Sequence, residues 1–308
     1  MKVLVTGGAG FIGSNVCDAL RAAGHEPVAL DNLASGKREN LSSGIRLIEA
    51  DIRDSKLDAI FERERPEAIS HHAAQIDVRK SVADPIYDAE INLIGLLRVL
   101  EASVKVGVRR FLFASSGGAC YGEQETFPAA ETHPSRPVSP YGTSKAAGEL
   151  YLGYYRAEKA LSFAALRYAN VYGPRQDPHG EAGVVAIFTQ RLLHGQPCTI
   201  FGDGENTRDF VYVGDVARAN LLALTSGHDG PINIGTGRET SINQLYRKLA
   251  DVAGVALGPT YGAPKPGEQR RSVIDPSLAS RVLDWKPQLS LEEGLTRTAA
   301  WFRERGPQ

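Results

Sequence analysis

Cysteine is scarce in this chain. Three occur in 308 residues, Cys17, Cys120 and Cys198. They are odd in number, far apart and without metal-ligand spacing. Neither a disulfide framework nor a cysteine-held metal is expected, and a reducing, cytoplasmic setting fits. Net charge is almost absent too: 35 Lys and Arg stand against 36 Asp and Glu, a formal −1. That leaves no electrostatic case for nucleic acid or an anionic membrane as partner. No apolar run approaches the roughly 20 residues that span a bilayer. The opening MKVLVTGG reaches glycine after six residues, too soon for a signal peptide. Repeats and low-complexity segments are missing. What remains is 42% hydrophobic and 23% charged. This is ordinary globular usage, in a chain long enough for one large domain or two modest ones.

Short apolar runs alternate with helical patterns through the first half. KVLVT (2–6), PVALD (27–31), IRLIEAD (45–51), EAISHHA (67–73), RRFLFAS (109–115) and SFAALRYANVYG (162–173) read as strands. FIGSNVCDALRAAG, AEINLIGLLRVLEASVKVG and a segment from Tyr141 to about Lys159 carry helical periodicity. Gly24 and Gly107 stand where helix C-terminal caps fall. The alternation predicts an α/β fold, a doubly wound parallel sheet of Rossmann type covered on both faces. After residue 173 the texture changes, and Pro/Gly clusters such as GPTYGAPKPGEQ (258–269) break up shorter elements. We expect a nucleotide-binding domain over 1–175 and a smaller C-terminal α/β substrate region over 176–308. That boundary is soft, because the chain can cross back.

TGGAGFIG follows the first strand at 6–13 and opens a helix. Gly8, Gly10 and Gly13 fit G-x-G-x-x-G; Gly7, Gly10 and Gly13 fit G-x-x-G-x-x-G equally well. Either spacing gives a tight turn, close backbone approach to a pyrophosphate and close helix–strand packing. The helix start offers free N–H groups and partial positive charge to the anion. Asp31 ends the second strand, where a carboxylate accepts from an adenine ribose and repels a 2′-phosphate. NAD is therefore expected over NADP, a preference tempered by Lys37 and Arg38 nearby.

Tyr-x-x-x-Lys puts a phenol and an ammonium on one helix face, and the ammonium stabilises phenolate for proton transfer. The pattern occurs three times. Tyr261–Lys265 contains Gly and Pro. Tyr155–Lys159 lies late on its helix, where a surface or core-edge role suffices. Tyr141–Lys145 follows Ser-Pro and opens a helix, where doubly wound folds face the ligand. Tyr141 is the expected base.

VTGGAGFIGSN, DNLASGKREN, EADIRD, SPYGTSK, LRYANVYGPRQ and TRDFVYVGDVA together resemble the extended short-chain dehydrogenase/reductases. Within them the chain most resembles the UDP-glucose (UDP-galactose) 4-epimerases, from Met1 to about Trp301. The resemblance implies that NAD is the cofactor, a UDP-sugar is the substrate and a homodimer forms through helices near 90–107 and 141–158. By position, Gly7, Gly10, Phe11, Ile12 and Gly13 would line the pyrophosphate. Asp31, Asn32, Ser35 and Gly36 would hold the adenosine ribose, and Asp51 and Ile52 the adenine. Ala73, Ala74 and Gln75 would border the cofactor, with Asn92 supporting a backbone group or water beside it. Tyr141 would be the base, Lys145 would hold the nicotinamide ribose, and Tyr168 would lie near the nicotinamide. Asn170 would touch the sugar nucleotide and Arg208 a substrate phosphate. In PGEQRRS, Glu268 could take the uridine ribose and Arg270 or Arg271 a phosphate, although Lys265 stands where many relatives carry arginine.

Several of these positions have plainer alternatives. Asp51 could simply end a strand, Asn92 could be an ordinary polar helix residue, and Arg208 could form a surface ion pair. His71 and His72 read as packing at a strand end. No carboxylate or cysteine cluster joins them, so no metal is expected.

Many epimerase relatives place a Ser or Thr four residues before the tyrosine of Tyr-Gly. In FASSGGACYG (113–122) that position is Gly117. The expected replacement is Ser116, with Ser115 or a water at Gly117 as alternatives. The bare Gly-Gly-Ala could also make room for the sugar. A 4,6-dehydratase would need Asp-Glu just after the fifth strand, where this chain has Gly118 and Ala119. A UDP-glucuronate epimerase or decarboxylase, or a non-catalytic NAD-binding regulator, are the remaining alternatives. Ser272 stands where some epimerases carry a bulky tyrosine, so the resemblance implies room for an N-acetyl sugar.

Overall fold

In the computed structural model, which describes residues 1–179, 183–264 and 268–306, the chain builds one large parallel sheet and a smaller flanking region. Strands β1 (Lys2–Thr6), β2 (Glu26–Asp31), β3 (Arg46–Glu49), β4 (Ala68–His71), β5 (Arg110–Ser116) and β6 (Ser162–Tyr168) come first. Short strands follow: β7 (Asn170–Tyr172), β8 (Thr199–Phe201), β9 (Thr207–Arg208) and β10 (Phe210–Tyr212). Then come β11 (Gly230–Ile234), β12 (Thr240–Ser241), β13 (Thr260–Gly262) and β14 (Arg271–Ser272). The large sheet runs β3-β2-β1-β4-β5-β6-β11, all parallel. Its order reverses between β1 and β4, which opens a crevice at the C-terminal strand ends.

The helices are α1 (Phe11–Ala22), α2 (Leu57–Glu64), α3 (Val78–Ala83), α4 (Pro85–Ala89), α5 (Leu96–Val106), α6 (Gly117–Tyr121) and α7 (Pro140–Lys159). Later come α8 (Val184–Leu193), α9 (Val213–Thr225), α10 (Ile242–Ala253), α11 (Ser277–Leu283) and α12 (Leu291–Arg305). One sheet face packs Val3, Val5, Leu112 and Leu166 against Val16 and Leu20 of α1 and Val216 and Ala219 of α9. The other packs Leu4, Ile69, Phe111 and Phe113 against Phe61 of α2, Leu100 of α5 and Leu152 of α7. Burial on both faces is why these strands read as continuous apolar runs. A separate core joins Phe188 of α8, Leu249 of α10 and Leu295 of α12.

Two expectations change in detail. The stretch 162–173 is two strands: Ala169 N–H still bonds Ile234, but Asn170 N–H bonds Asp209, so β6 pairs with β11 and β7 with β10. The segment 89–107 is interrupted by a π-helical turn at Glu90–Gly95 before α5. Beyond residue 175, β11 completes the large sheet and α9 packs on α1 across its face. The chain therefore returns to the large sheet after leaving it.

Candidate active site

The turn between β1 and α1 is built by close approach. A Cβ at Gly13 would stand 2.2 Å from the Gly7 carbonyl oxygen. Gly7 has φ +65, and a Cβ there would stand 2.6 Å from the Ala73 nitrogen. Only glycine lets these backbones pass so closely. Gly10 caps α1 without a side-chain bond, so the first-turn N–H groups of Phe11, Ile12 and Gly13 are left for an anion. Asp31 is buried and accepts from the N–H of Ala9 at 3.0 Å and of Leu33 at 2.8 Å. A Cβ at Gly36 would stand 2.8 Å from that carboxylate, so the loop carrying exposed Ser35 folds tightly over it. Asn32 Nδ2 donates to Asp51 at 2.8 Å. Asp51 also takes both Arg53 guanidinium bonds, which hold its carboxyl far below the usual range. Ile52 is buried and packs where Gly95 leaves space. An uncapped helix start, a side-chain-free cradle and a pinned carboxylate at the second strand end form the donor and acceptor set that a dinucleotide needs. The residues fit NAD.

Helix α7 carries the expected proton-transfer pair. Ser139 caps it and Pro140 fills its first turn. Gly148 lets α7 approach β5, since a Cβ there would stand 2.9 Å from Phe113 Cζ. Lys145 is buried, donates to the Ala114 carbonyl at 2.8 Å, and its ammonium lies 5.8 Å from the Tyr141 ring centre. Burial lowers its pKa to about 8. Burial pushes the Tyr141 phenol up, as do Cys120 and Asp88, while a hydrogen bond from Ser116 favours its ionised form. Burial outweighs the Ser116 contribution, so further positive charge near the phenol is what favours the phenolate. The other two pairs are not built alike. Tyr155 bonds Glu101. Tyr261 is exposed and bonds Asn243 at 3.0 Å, and Lys265 lies outside the described residues.

The serines at the end of β5 face apart. Ser115 donates to Glu149 at 2.6 Å and is buried, so its hydroxyl is already engaged by that carboxylate. Ser116 caps α6, accepting from Ala119 N–H, and reaches Tyr141. Gly117 leaves no gap for a water on its Cβ side, because a Cβ there would stand 2.9 Å from Ile274 Cγ2. The glycine is needed by the fold of this chain, and Ser116 is the hydroxyl beside the phenol. Ser116→Ala is expected to lower kcat about tenfold, at or below the small end of acid–base effects. Ser115→Ala should keep turnover and lose some stability, since Glu149 loses one buried hydrogen bond while keeping Arg167. Full turnover in Ser116→Ala, read beside the Ser115→Ala control, would contradict the assignment.

The remaining expected positions divide. Asn92 is buried and braces the loop after β4: it accepts from Gln75 N–H and donates to Gln75 O, both at 2.9 Å. Ala73 and Ala74 precede that clamp. Tyr168 is buried with its hydroxyl on Asn220 and its ring stacked on His72 at 6.5 Å, so its phenol serves the core. Asn170 is exposed at the start of β7. Arg208 donates to the Thr207 carbonyl at 2.7 Å, in the field of Glu268 and Glu123. Arg270 instead pairs with Asp203, and Arg271 pairs with Glu239 while stacking on Phe127. Glu268 accepts from Asn206 at 3.3 Å. Ser272 is buried, and its hydroxyl faces Gly118, 3.0 Å from where a Cβ would be. His71 bonds Thr6 at 2.8 Å and stacks near Phe113, as strand-end packing requires. Among the described residues no group of three His, Cys, Asp or Glu side chains could hold a metal. Among the described residues no helix is long and apolar enough to cross a membrane.

Residues 3–235 match the model of the NAD dependent epimerase/dehydratase family. The chain belongs to that family. It is 46% identical to UDP-glucose 4-epimerase of Mycolicibacterium smegmatis, over 99% of each chain. Among solved structures, it is 50% identical to the Thermotoga maritima UDP-glucose 4-epimerase with UDP-glucose, at a TM-score of 0.97 over 99% of each chain. It is also 48% identical to the Thermus thermophilus UDP-glucose 4-epimerase in complex with NAD, at a TM-score of 0.93 over 98% of this chain and 99% of that one.

Three polar residues of this family member escaped the sequence reading. Asp88 is fully buried and accepts from Gln75 Nε2 at 3.2 Å, Asn92 Nδ2 at 3.0 Å and Ser144 Oγ at 2.5 Å. Glu149 holds Ser115 and Arg167, and Arg167 reaches Tyr121. A single acid on a helix carries no sequence signal; only the buried partners give it meaning.

Proposed function

We propose that this protein inverts C4 of a UDP-hexose, interconverting UDP-glucose and UDP-galactose through a 4-keto sugar. The meeting of Tyr141, Lys145 and Ser116 beside a turn that fits NAD carries this reading. The phenolate of Tyr141 takes the proton of the sugar 4-hydroxyl as C4 becomes a ketone, and returns it as the alcohol re-forms. Ser116 hydrogen-bonds the phenol and steadies its ionised form. Lys145, anchored on Ala114, would hold a nicotinamide ribose, and the α1 N-terminus with Asp31 would hold the pyrophosphate and adenine ribose. NAD, when bound in its oxidised form, supplies a positive charge that favours the phenolate and the acceptor that takes the C4 hydride and gives it back. Arg208 would take a substrate phosphate.

Two observations weigh against other chemistry. Elimination of water needs an acid and a base beyond the tyrosine, and Gly118 and Ala119 offer neither. A sugar carboxylate needs a free cation, and Arg270 and Arg271 are already matched to Asp203 and Glu239. An intact Tyr141–Lys145 pair also weighs against a purely regulatory NAD-binding role. We further infer a homodimer through α7, because its Leu150, Tyr151 and Tyr154 line an exposed apolar groove of about 520 Å³; a two-chain mass in sedimentation supports it, and a monomer contradicts it. A cytoplasmic site of action accords with three free, buried cysteines.

Substrate breadth is inferred from Ser272, a small residue where some epimerases carry a bulky tyrosine, which favours room for an N-acetyl group. Equal assays of UDP-glucose, UDP-galactose, UDP-GlcNAc and UDP-GalNAc, with products identified by NMR, are expected to show all four turning over. Strict exclusion of the acetylated pair would contradict the breadth. Dehydrated or decarboxylated products would contradict the reaction itself.

A further inference from the structure

Asp88 is fully buried with no cation bonded to it. A lone buried carboxylate is costly unless hydrogen bonds satisfy it, and its three partners come from three separate elements. Gln75 belongs to the loop after β4, expected to border the cofactor. Asn92 belongs to the π-helical turn and clamps the same loop. Ser144 is on α7, one residue before Lys145. The opposite end of this assembly is tied as well: Tyr141 N–H donates to Ser81 of α3 at 3.2 Å. We propose that Asp88 is a positioning residue for the Tyr141–Lys145 pair, locking the start of α7 to the cofactor loop and placing a buried negative charge beside both groups.

The proposal rests on Tyr141 and Lys145 being the reacting pair. Two kinds of contribution are distinguishable. The first is mechanical: Ser144 cannot shift without losing its bond to Asp88, and Lys145 moves with it. The second is electrostatic. The Asp88 charge raises the pKa of both Lys145 and Tyr141. It therefore keeps the lysine an ammonium against the burial that depresses it. The other titratable groups facing the pair are Cys120 on α6, Glu149 on α7, and His71 and His72 at the end of β4; both histidines are held neutral by burial and by Lys145.

The partner pattern supplies a clean test. Oδ1 accepts from Gln75 and Asn92, and Oδ2 only from Ser144. In Asp88→Asn the amide oxygen keeps the first two bonds, and the amide nitrogen donates to a rotated Ser144 hydroxyl. The shape survives and the charge goes. The NAD-loaded Asp88→Asn enzyme is expected to fold and to keep its cofactor. Both limbs of its kcat–pH profile should move to lower pH by about one unit. The tyrosinate absorbance, taken as the difference from Tyr141→Phe, should move the same way. Ser144→Ala removes a bond and no charge, so its limbs should stay while kcat falls about tenfold, well within what misplacement of a catalytic group can cost. A folded Asp88→Asn with unmoved limbs, or Ser144→Ala with full kcat, overturns the proposal. Should Asp88→Asn not fold, the Ser144→Ala rate decides alone. A wild type with no turnover on any UDP-hexose overturns the functional reading instead, and the tyrosinate titration still reads Asp88.

Discussion

Tyr141→Phe is expected to fold, to keep its NAD and to lose turnover by about 10²–10⁴-fold, the range of a lost acid–base group. The substitution removes one oxygen. That oxygen contacts the Ser116 hydroxyl, which still accepts from Ala119 N–H, so the loss of stability should stay near 1 kcal/mol or below. The cap of α7 rests on Ser139 and Pro140, and the Tyr141 N–H keeps its bond to Ser81. Lys145 remains on Ala114. The variant therefore separates chemistry from folding. Thermal unfolding and cofactor content are the controls, and kcat is the readout. Turnover within threefold of wild type would remove Tyr141 from the mechanism.

Gly13→Ala should fail earlier, at the cofactor. The added methyl would stand 2.2 Å from the Gly7 oxygen, 2.9 Å from the Gly7 carbon and 3.0 Å from the Gly8 Cα. All three are backbone atoms, so no side chain can rotate away. The β1–α1 turn has to open, and it carries with it the N–H groups proposed to hold the pyrophosphate. Overpacking of this kind costs about 1–3 kcal/mol of stability. NAD affinity, measured by calorimetry on protein stripped of cofactor, is expected to fall by two orders of magnitude or more, the scale on which misplaced groups act. Wild-type affinity in a folded Gly13→Ala would mean that the turn is not the pyrophosphate site.

The two variants also mark what was legible in the sequence. Gly13 and Tyr141 sit in local patterns whose physics is short-range: a glycine turn between strand and helix, and a phenol one helical turn from an ammonium. The first six sheet strands were legible for a similar reason, since burial on both faces writes a continuous apolar run. The break at Ala169 was not, because β6 and β7 are both extended and differ only in which distant strand they join, β11 or β10. Strand β11 itself was missed. Its Asn233 is fully buried and serves Tyr121, Ala129 and Glu131, so its run looks too polar for a sheet core. Gly117 shows the same limit at the site. Counting back from Tyr121 correctly found that a hydroxyl is missing there, but Ile274, which fills the space, is more than 150 residues away. Asp88 and Glu149 belong to buried networks assembled from several elements, and no spacing rule reaches them.

The most direct test of the central claim follows one atom. UDP-galactose deuterated at C4 is incubated with the purified protein and the products are followed by NMR. The account predicts UDP-glucose with deuterium retained at C4 and inverted configuration there. Exchange of that deuterium with solvent, or a product that has lost water or carbon dioxide, would contradict it.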